Sequence, residues 1–307
     1  MLPDDWHFTH DIDGFLDRAG HFLRSRPALH NTVLTDIEKL RTGTAHPLGP
    51  EATLLGRLEQ DGEVRAVCYA TLGGRLGLTP LSAPRADALA AHLVRFGQCP
   101  SHVIADHGTA GAFAESWQRH TGAARAAFWR THLYRLGTLT PPRPRPEGRG
   151  RRTGVEDREH VIRWCREFCV EVGEQRSIDL IDAGAWDDSR FGDRHFTFWE
   201  TPDGTPVSMA AMTSNTGGMV RVDPVYTPVR FRGHGYAGAV TAEVSRAALA
   251  AGAADVVLFT DPANPTSNAL YQRLGYVRMA DFAGHRFSYA PLADAGRADA
   301  AHQSGEG

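Results

Sequence analysis

Residues 225–237 decide the fold. They read VYTPVRFRGHGYA, between a predicted strand that ends near Tyr226 and a predicted helix that starts near Gly235. Glycine adopts backbone conformations that other residues avoid, and it lets a ligand approach the main chain closely. N–H groups in such a bend lack partners, and the start of the following helix adds about half a positive charge. Arg230 and Arg232 add donors for phosphate oxygens. The stretch therefore predicts a cradle for a diphosphate.

The same stretch also fits the G-x-G-x-x-G fingerprint of dinucleotide-binding folds, at Gly233–Gly238, so a nicotinamide or flavin cofactor is an alternative. In that fingerprint the first glycine follows the strand directly, whereas six residues, 227–232, precede Gly233 here. Asp261 takes the place of the ribose-binding acid, but fewer than fifty residues follow it, too few for the rest of a doubly wound sheet. The spacing favours another diphosphate carrier.

A second motif, NPTSNALYQRLGY, occupies residues 264–276. With the first motif it resembles the GNAT superfamily of N-acetyltransferases, whose R/Q-x-x-G-x-G/A signature binds the pyrophosphate of coenzyme A. In the preferred register Arg232 begins the signature, and Gly235 and Ala237 take its last two fixed positions. An alternative register begins at Arg230. The resemblance covers residues 153–292 and implies acetyl-CoA (coenzyme A) as the cofactor.

The resemblance also implies a set of site residues. In this family the strand that carries residues 225–227 splays from its neighbour, and its backbone groups bind the pantetheine arm and polarise the thioester carbonyl. Tyr271 corresponds to the residue that protonates the departing thiolate. Asn264 and Asn268 would contact the cofactor or hold the start of their helix. The residues expected to bind the cofactor are Val225, Tyr226, Thr227, Arg230, Arg232, Gly233, His234, Gly235, Tyr236, Ala237, Asn264 and Asn268.

The acceptor is expected to be a small-molecule primary amine, which attacks directly in a ternary complex because neither motif contains a cysteine nucleophile. An alkylammonium must lose a proton first, and Asp223, Glu200 and His195 are the candidate bases. In this family the segment between the first helix and the strand at His195 covers the acceptor site. It is acidic here, which favours a cationic substrate or, alternatively, a solvated loop. Its acids are Glu171, Glu174, Asp179, Asp182, Asp187, Asp188 and Asp193.

A proline- and arginine-rich stretch divides the chain at residues 141–152, which we interpret as a semi-extended, solvated linker. Residues 1–140 and 153–292 show the same order of predicted helices and strands, and 293–307 are expected to form a flexible tail. The second part is predicted to end in two strands, near 276–279 and 286–289. The fold class is therefore α/β (α+β mixed sheet), with two GNAT-like domains in tandem, each a mostly antiparallel sheet flanked by helices.

The first part lacks a diphosphate cradle. After its strand at residues 76–78 the sequence reads TPLSAPR, with no glycine pair and two prolines that cannot donate an N–H. We expect a degenerate domain that supports the catalytic one and walls part of the acceptor cleft, or, alternatively, binds a ligand of its own.

Composition excludes several classes of function. The formal net charge of -3 provides no general basic field, so we expect no nucleic-acid partner. Four scattered cysteines lack metal-ligand spacing, so no metal is expected. No apolar run is long enough to span a bilayer and no leader is seen, which predicts a cytoplasmic protein without membrane attachment. Monomer and homodimer stay open. The alternative function is a non-catalytic acyl-CoA sensor or regulatory module.

Overall fold

The computed structural model describes residues 6–41, 53–71, 74–184 and 194–289. The N-terminal half, up to residue 140, contains strands β1 (Trp6–Thr9), β2 (Thr53–Gln60), β3 (Glu63–Thr71), β4 (Arg75–Leu78), β5 (His102–Asp106) and β6 (Ala124–Leu136). Its helices are α1 (Ile12–Ser25), α2 (Asn31–Arg41), α3 (Ala83–Arg95) and α4 (His107–Thr121). The predicted hairpin is present at Asp61 and Gly62, which both adopt positive φ angles between β2 and β3.

The C-terminal half repeats this order. Its strands are β7 (Arg149–Arg152), β8 (Arg194–Glu200), β9 (Pro206–Thr213), β10 (Met219–Tyr226), β11 (Asp255–Thr260) and β12 (Tyr276–Ser288). Its helices are α5 (Arg158–Val172), α6 (Gln175–Asp182), α7 (Tyr236–Ala250) and α8 (Pro265–Arg273). None of the helices in the described ranges is long and apolar enough to cross a membrane.

All these strands join in one twelve-stranded sheet, in the order β1-β2-β3-β4-β5-β12-β6-β11-β10-β9-β8-β7. The two halves exchange their last strands. β6 pairs with β11 of the C-terminal half, and β12 returns to pair with β5 of the N-terminal half. β6 and β12 also pair with each other along their whole length. The sheet is therefore continuous across the two halves.

Helices cover both faces of the sheet. In the C-terminal half, α5 packs on one face against Phe196 and Phe198, and α7 packs on the other against Trp199 and Val207. Side chains alternate between the two faces of a strand, which explains why neighbouring residues of β8 join different clusters. In the N-terminal half, α1 and α2 cover one face and α3 and α4 the other. The structure thus confirms the predicted mixed sheet flanked by helices.

The structure corrects two predictions at the ends of the C-terminal half. The two short strands predicted at 276–279 and 286–289 are one strand, β12, because pairing with β6 and β5 holds its middle in extended form across two irregularities. The predicted linker is not a free spacer. Its last residues form β7 at the sheet edge, the Arg145 guanidinium lies 5.2 Å from the Trp199 ring centre, and the Trp199 indole donates to the Glu147 carbonyl.

Candidate active site

The candidate site begins where β10 and β11 separate. Their parallel pairing covers only Met219–Arg221. On its other edge β10 stays paired with β9 as far as Tyr226, with a register shift between Val222 and Val225. Within the ranges that the structure describes, no strand covers residues 222–226 on the side facing β11. Backbone groups on an uncovered edge can bond an extended ligand, so the opening fits the pantetheine arm predicted from the sequence.

The bend after β10 opens toward this gap. A short 3-10 turn at Val229–Phe231 leads to Gly233 and Gly235, whose φ angles are +83° and +81°. A Cβ at Gly233 would have no atom within 4 Å, so the space in front of the bend is open. No side chain caps α7. The N–H groups of Gly233–Ala237 have no acceptor among the described residues. Such clustered donors at a helix start fit a diphosphate.

The two arginines and His234 at the bend make different contacts. The Arg232 guanidinium donates to the Thr227 carbonyl at 2.9 Å and forms an ion pair with Glu171 of α5 at 2.5 Å. Arg230 is exposed, and its guanidinium lies 4.6 Å from the ring centre of Phe231. The His234 Nδ1 lies 2.8 Å from the Arg232 carbonyl, and the ring stacks on Tyr236.

Asn264 and Asn268 hold the start of α8. The Asn264 side chain accepts from the Ser267 N–H at 3.0 Å and caps the helix. The Asn268 amide donates to the carbonyls of Asp261 (2.9 Å) and Asn264 (2.7 Å). Its oxygen accepts from the Thr260 hydroxyl at 2.5 Å and from Tyr134. Of the two roles predicted from the sequence, these contacts correspond to holding the helix.

Tyr271 lies on α8, one turn beyond Asn268. It is 8% exposed, and its ring lies edge-on to Tyr276 at 6.0 Å between centres. Burial raises the pKa of the Tyr271 hydroxyl above its ordinary value, and charge interactions with Tyr276 and Asp223 add to the shift. Its hydroxyl has no hydrogen bond to a described residue. The phenol is therefore a retained proton donor near the opening between β10 and β11.

The three candidate bases differ in their surroundings. Asp223 lies at the register shift of β10, and its side chain is 41% exposed. Arg194 donates to the Asp223 carboxylate at 2.6 Å and to the Asp223 carbonyl at 2.9 Å. Asp223 alone of the three contributes to the pKa shift of Tyr271.

Glu200 and His195 are held elsewhere. Glu200 is 5% exposed and accepts from Arg151 at 2.6 Å, and Arg151 also binds Asp157. The His195 Nδ1 lies 2.8 Å from the guanidinium of Arg152. These contacts tie both residues to β7, at the far edge of the sheet, so the geometry favours Asp223.

The acidic segment is described in part. Glu171 pairs with Arg232, and Asp182 pairs with Arg166 at 2.7 Å. Glu174 and Asp179 are exposed on or beside α6. Asp187, Asp188 and Asp193 lie outside the described residues.

Two residues at the site were missed in the sequence. Arg194, whose side chain is 3% exposed, holds Asp223 across β9, and Tyr134 of β6 bonds α8. Arg194 stands directly before the strand predicted to begin at His195, so a basic residue next to that strand was the available signal. Nothing in the sequence predicted the contact of Tyr134, because this residue reaches α8 only through the strand exchange.

Comparisons with known proteins agree with this fold. A sequence model of the Acetyltransferase (GNAT) family matches residues 158–276, which therefore form a GNAT domain. A GCN5-related N-acetyltransferase from Sphaerobacter thermophilus superimposes with a TM-score of 0.54 at 18% identity, over 95% of this chain and 99% of that one. A tandem GNAT protein from the clavulanic acid biosynthesis pathway gives 0.54 at 14% identity, over 94% and 100%.

A Drosophila protein gives a TM-score of 0.58 at 13% identity, over 93% of this chain and 99% of that one. At these identities the likeness establishes the fold alone. No curated protein matches the chain in sequence. The GNAT resemblance and the tandem arrangement predicted from the sequence are confirmed.

Proposed function

We propose that this protein is an acetyl-CoA-dependent N-acetyltransferase that acts on a primary amine of a small molecule. The observation that carries the proposal is the opening between β10 and β11, which leads from the uncovered strand edge to the glycine bend with its unpaired N–H groups. When bound, acetyl-CoA would supply an acyl group activated as a thioester. Residues of this chain would hold and orient the reactants.

The cofactor would be held by two kinds of contact. The N–H groups of Gly233–Ala237, at the positive end of α7, would bind the diphosphate. Arg232 would add a charged contact by exchanging Glu171 for phosphate, and Arg230 is exposed beside the same bend. The edge of Val225–Thr227 would bond the pantetheine amides.

Two groups would handle protons. Tyr271 keeps its proton because burial disfavours its anion, so it would donate to the leaving sulfur. Asp223 would take up the proton of the attacking ammonium, directly or through water, because its partly exposed carboxylate lies on the same opening. The ion pair with Arg194 would hold the Asp223 carboxylate in place.

The acceptor would enter beside α5 and α6, where acidic side chains favour a cation. The N-terminal half would support this site rather than bind a second cofactor, because the segment between β4 and α3 contains no glycine.

Two measurements test the proposal together. Calorimetry is expected to detect one acetyl-CoA per chain, and release of free thiol is expected with at least one member of a panel of polyamines, amino acids and aminoglycosides. Tight binding of acetyl-CoA without transfer to any amine would instead support the non-catalytic sensor. Absence of binding by any acyl-CoA would refute both functions.

A further inference from the structure

A side chain of the N-terminal half forms hydrogen bonds with the proposed catalytic helix. Tyr134 lies on β6, the exchanged strand that pairs with β11, and it is 1% exposed. Its hydroxyl donates to the Asn268 side-chain oxygen at 3.2 Å and accepts from the Gln272 amide at 3.1 Å. Both of its partners lie on α8. The hydroxyl thus uses its donor and an acceptor site on the same helix.

The positions of Asn268 and Gln272 explain why the contact with Tyr134 matters for Tyr271. Asn268 and Gln272 are four residues apart, so they stand one above the other on a single helical face. Tyr271 lies between them in sequence and projects from the same turn. A hydroxyl bonded to both ends of that turn resists its translation and rotation. Small errors in the position of a reacting group cost large factors in rate.

We propose that Tyr134 is a positioning residue for Tyr271, so that the N-terminal half sets the geometry of the proton donor in the C-terminal half. This inference rests on the proposed acetyl transfer for its effect on rate. The hydrogen bonds that carry it are independent of that function. Tyr134 would act through α8, because its hydroxyl bonds Asn268 and Gln272.

The chain offers a matched control for the loss of a buried hydroxyl. Tyr276 lies in the same apolar cluster, is 2% exposed, and bonds Ser245 of α7 at 2.7 Å. Its ring touches Tyr271, but its hydroxyl bonds no residue of α8. Burial raises the pKa of Tyr276 to about 12, so this group is neutral at pH 8. Tyr276→Phe therefore removes a comparable hydroxyl without releasing the helix.

The kinetic test compares Tyr134→Phe with Tyr276→Phe in the full chain. Tyr134→Phe is expected to lower kcat about tenfold with little change in the KM for acetyl-CoA, whereas Tyr276→Phe keeps kcat within about twofold. In a Tyr271→Phe background, Tyr134→Phe is expected to cause no further loss, because it acts through Tyr271. Equal kcat values for the two single variants, or full additivity in the double variant, would overturn the inference.

Hydrogen exchange supplies a readout that needs no activity. Amides of residues 265–273 are expected to exchange about fivefold faster in Tyr134→Phe than in Tyr276→Phe, because local opening of α8 becomes easier. Equal exchange in the two variants would overturn the inference even in an active enzyme. If the wild-type protein transfers no acetyl group, the proposed function fails, and exchange still decides whether Tyr134 holds α8.

Discussion

In both halves of this molecule two parallel strands separate and leave an opening. One opening is closed by a side chain, and the other, among the described residues, is not. β4 and β5 pair in parallel over Arg75–Gly77 and then separate, as β10 and β11 do after Arg221. In the N-terminal half the Thr109 hydroxyl fills the gap: it accepts from the Leu81 N–H at 2.8 Å and lies 3.3 Å from the Leu81 carbonyl. The backbone that would bind a ligand is already bonded to the protein.

A difference in helix position explains the contrast. In the N-terminal half Asp106 is both the last residue of β5 and the cap of α4. In the C-terminal half three residues, 261–263, separate the end of β11 from the cap of α8 at Asn264. The shorter connection brings α4 onto the strand ends, so its first turn reaches the opening.

The caps also align the two helices residue by residue. Asp106 accepts from the Thr109 N–H three residues on, as Asn264 accepts from that of Ser267. Counted from the caps, Ala110 stands where Asn268 does and Phe113 where Tyr271 does. The closed half therefore lacks both the amide and the phenol. The shared fold produces the opening in both halves. The length of the connection between strand and helix, and a few side chains, decide whether the opening can bind a ligand.

The largest expected effect is on acetyl-CoA affinity, when a carboxylate is placed at the start of α7. The same change at the start of α3 in the N-terminal half is its control. Gly235→Asp should weaken acetyl-CoA binding by a hundredfold or more, roughly, through repulsion of the diphosphate and strain at a φ of +81°. Ser82→Asp, at the cap of α3, should leave the affinity for acetyl-CoA unchanged because no glycine bend precedes that helix. Calorimetry of both variants checks the pair. Equal affinities in the two variants would place the cofactor elsewhere.

The next largest effect is expected on kcat, when Tyr271 of α8 is replaced by phenylalanine, the residue at the matching position of α4. Tyr271→Phe is expected to lower kcat about tenfold to a hundredfold while the Kd for acetyl-CoA stays constant, because only proton donation is lost. Since burial raises the pKa of Tyr271, wild-type kcat should show no loss of this proton up to about pH 10. Steady-state rates against pH test both statements. Unchanged kcat would remove Tyr271 from the mechanism.

Removing the hydrogen bonds of Thr109 at the closed opening should change stability and not function. Thr109→Val removes the hydroxyl that bonds Leu81, which should cost about 1–3 kcal/mol of unfolding free energy because a partly buried N–H loses its acceptor. Thr35→Val in α2 is the control, since among the described residues that buried hydroxyl bonds only the Asn31 carbonyl of its own helix. Urea unfolding measures the cost. A second acetyl-CoA bound by Thr109→Val would show that the hydrogen bonds of Thr109 to Leu81 alone block a site.

The smallest effect concerns the ion pair at the open site. Glu171→Gln should raise acetyl-CoA affinity about twofold to fivefold, because exposed ion pairs are weak and Arg232 would no longer have to leave one. Asp182→Asn removes the same charge from a pair with Arg166 and should leave affinity unchanged. If the two variants bind alike, Arg232 does not exchange partners.

The sequence predicted the glycine bend after β10, but it gave no sign of the contacts that close the opening in the N-terminal half. The glycines of residues 232–237 require a special backbone, and such a requirement is visible in composition, so the bend stands where it was predicted. Thr109 resembles any helix residue in sequence, and only the structure shows it bonded to Leu81. Local chemistry is readable from one sequence, whereas contacts between distant segments are not.

The strand exchange shows the same limit. The continuous β12 was predicted as two strands because its middle, residues 280–284, has a weak strand pattern, and the two neighbouring strands that hold it lie far away in the chain. For the same reason Tyr134 carried no sign of its contact with α8.

The exchanged strands also affect how the N-terminal half folds during synthesis of the chain. β5 ends at Asp106, yet the strand that covers its free edge begins at Tyr276. At roughly 5–20 residues per second, a ribosome needs on the order of ten to thirty seconds to synthesise the intervening segment. The nascent N-terminal half must wait with an open sheet edge, the kind of surface that recruits other chains. Completion of the first half is thus postponed until β12 has been synthesised, and protection of the nascent chain matters most during that interval.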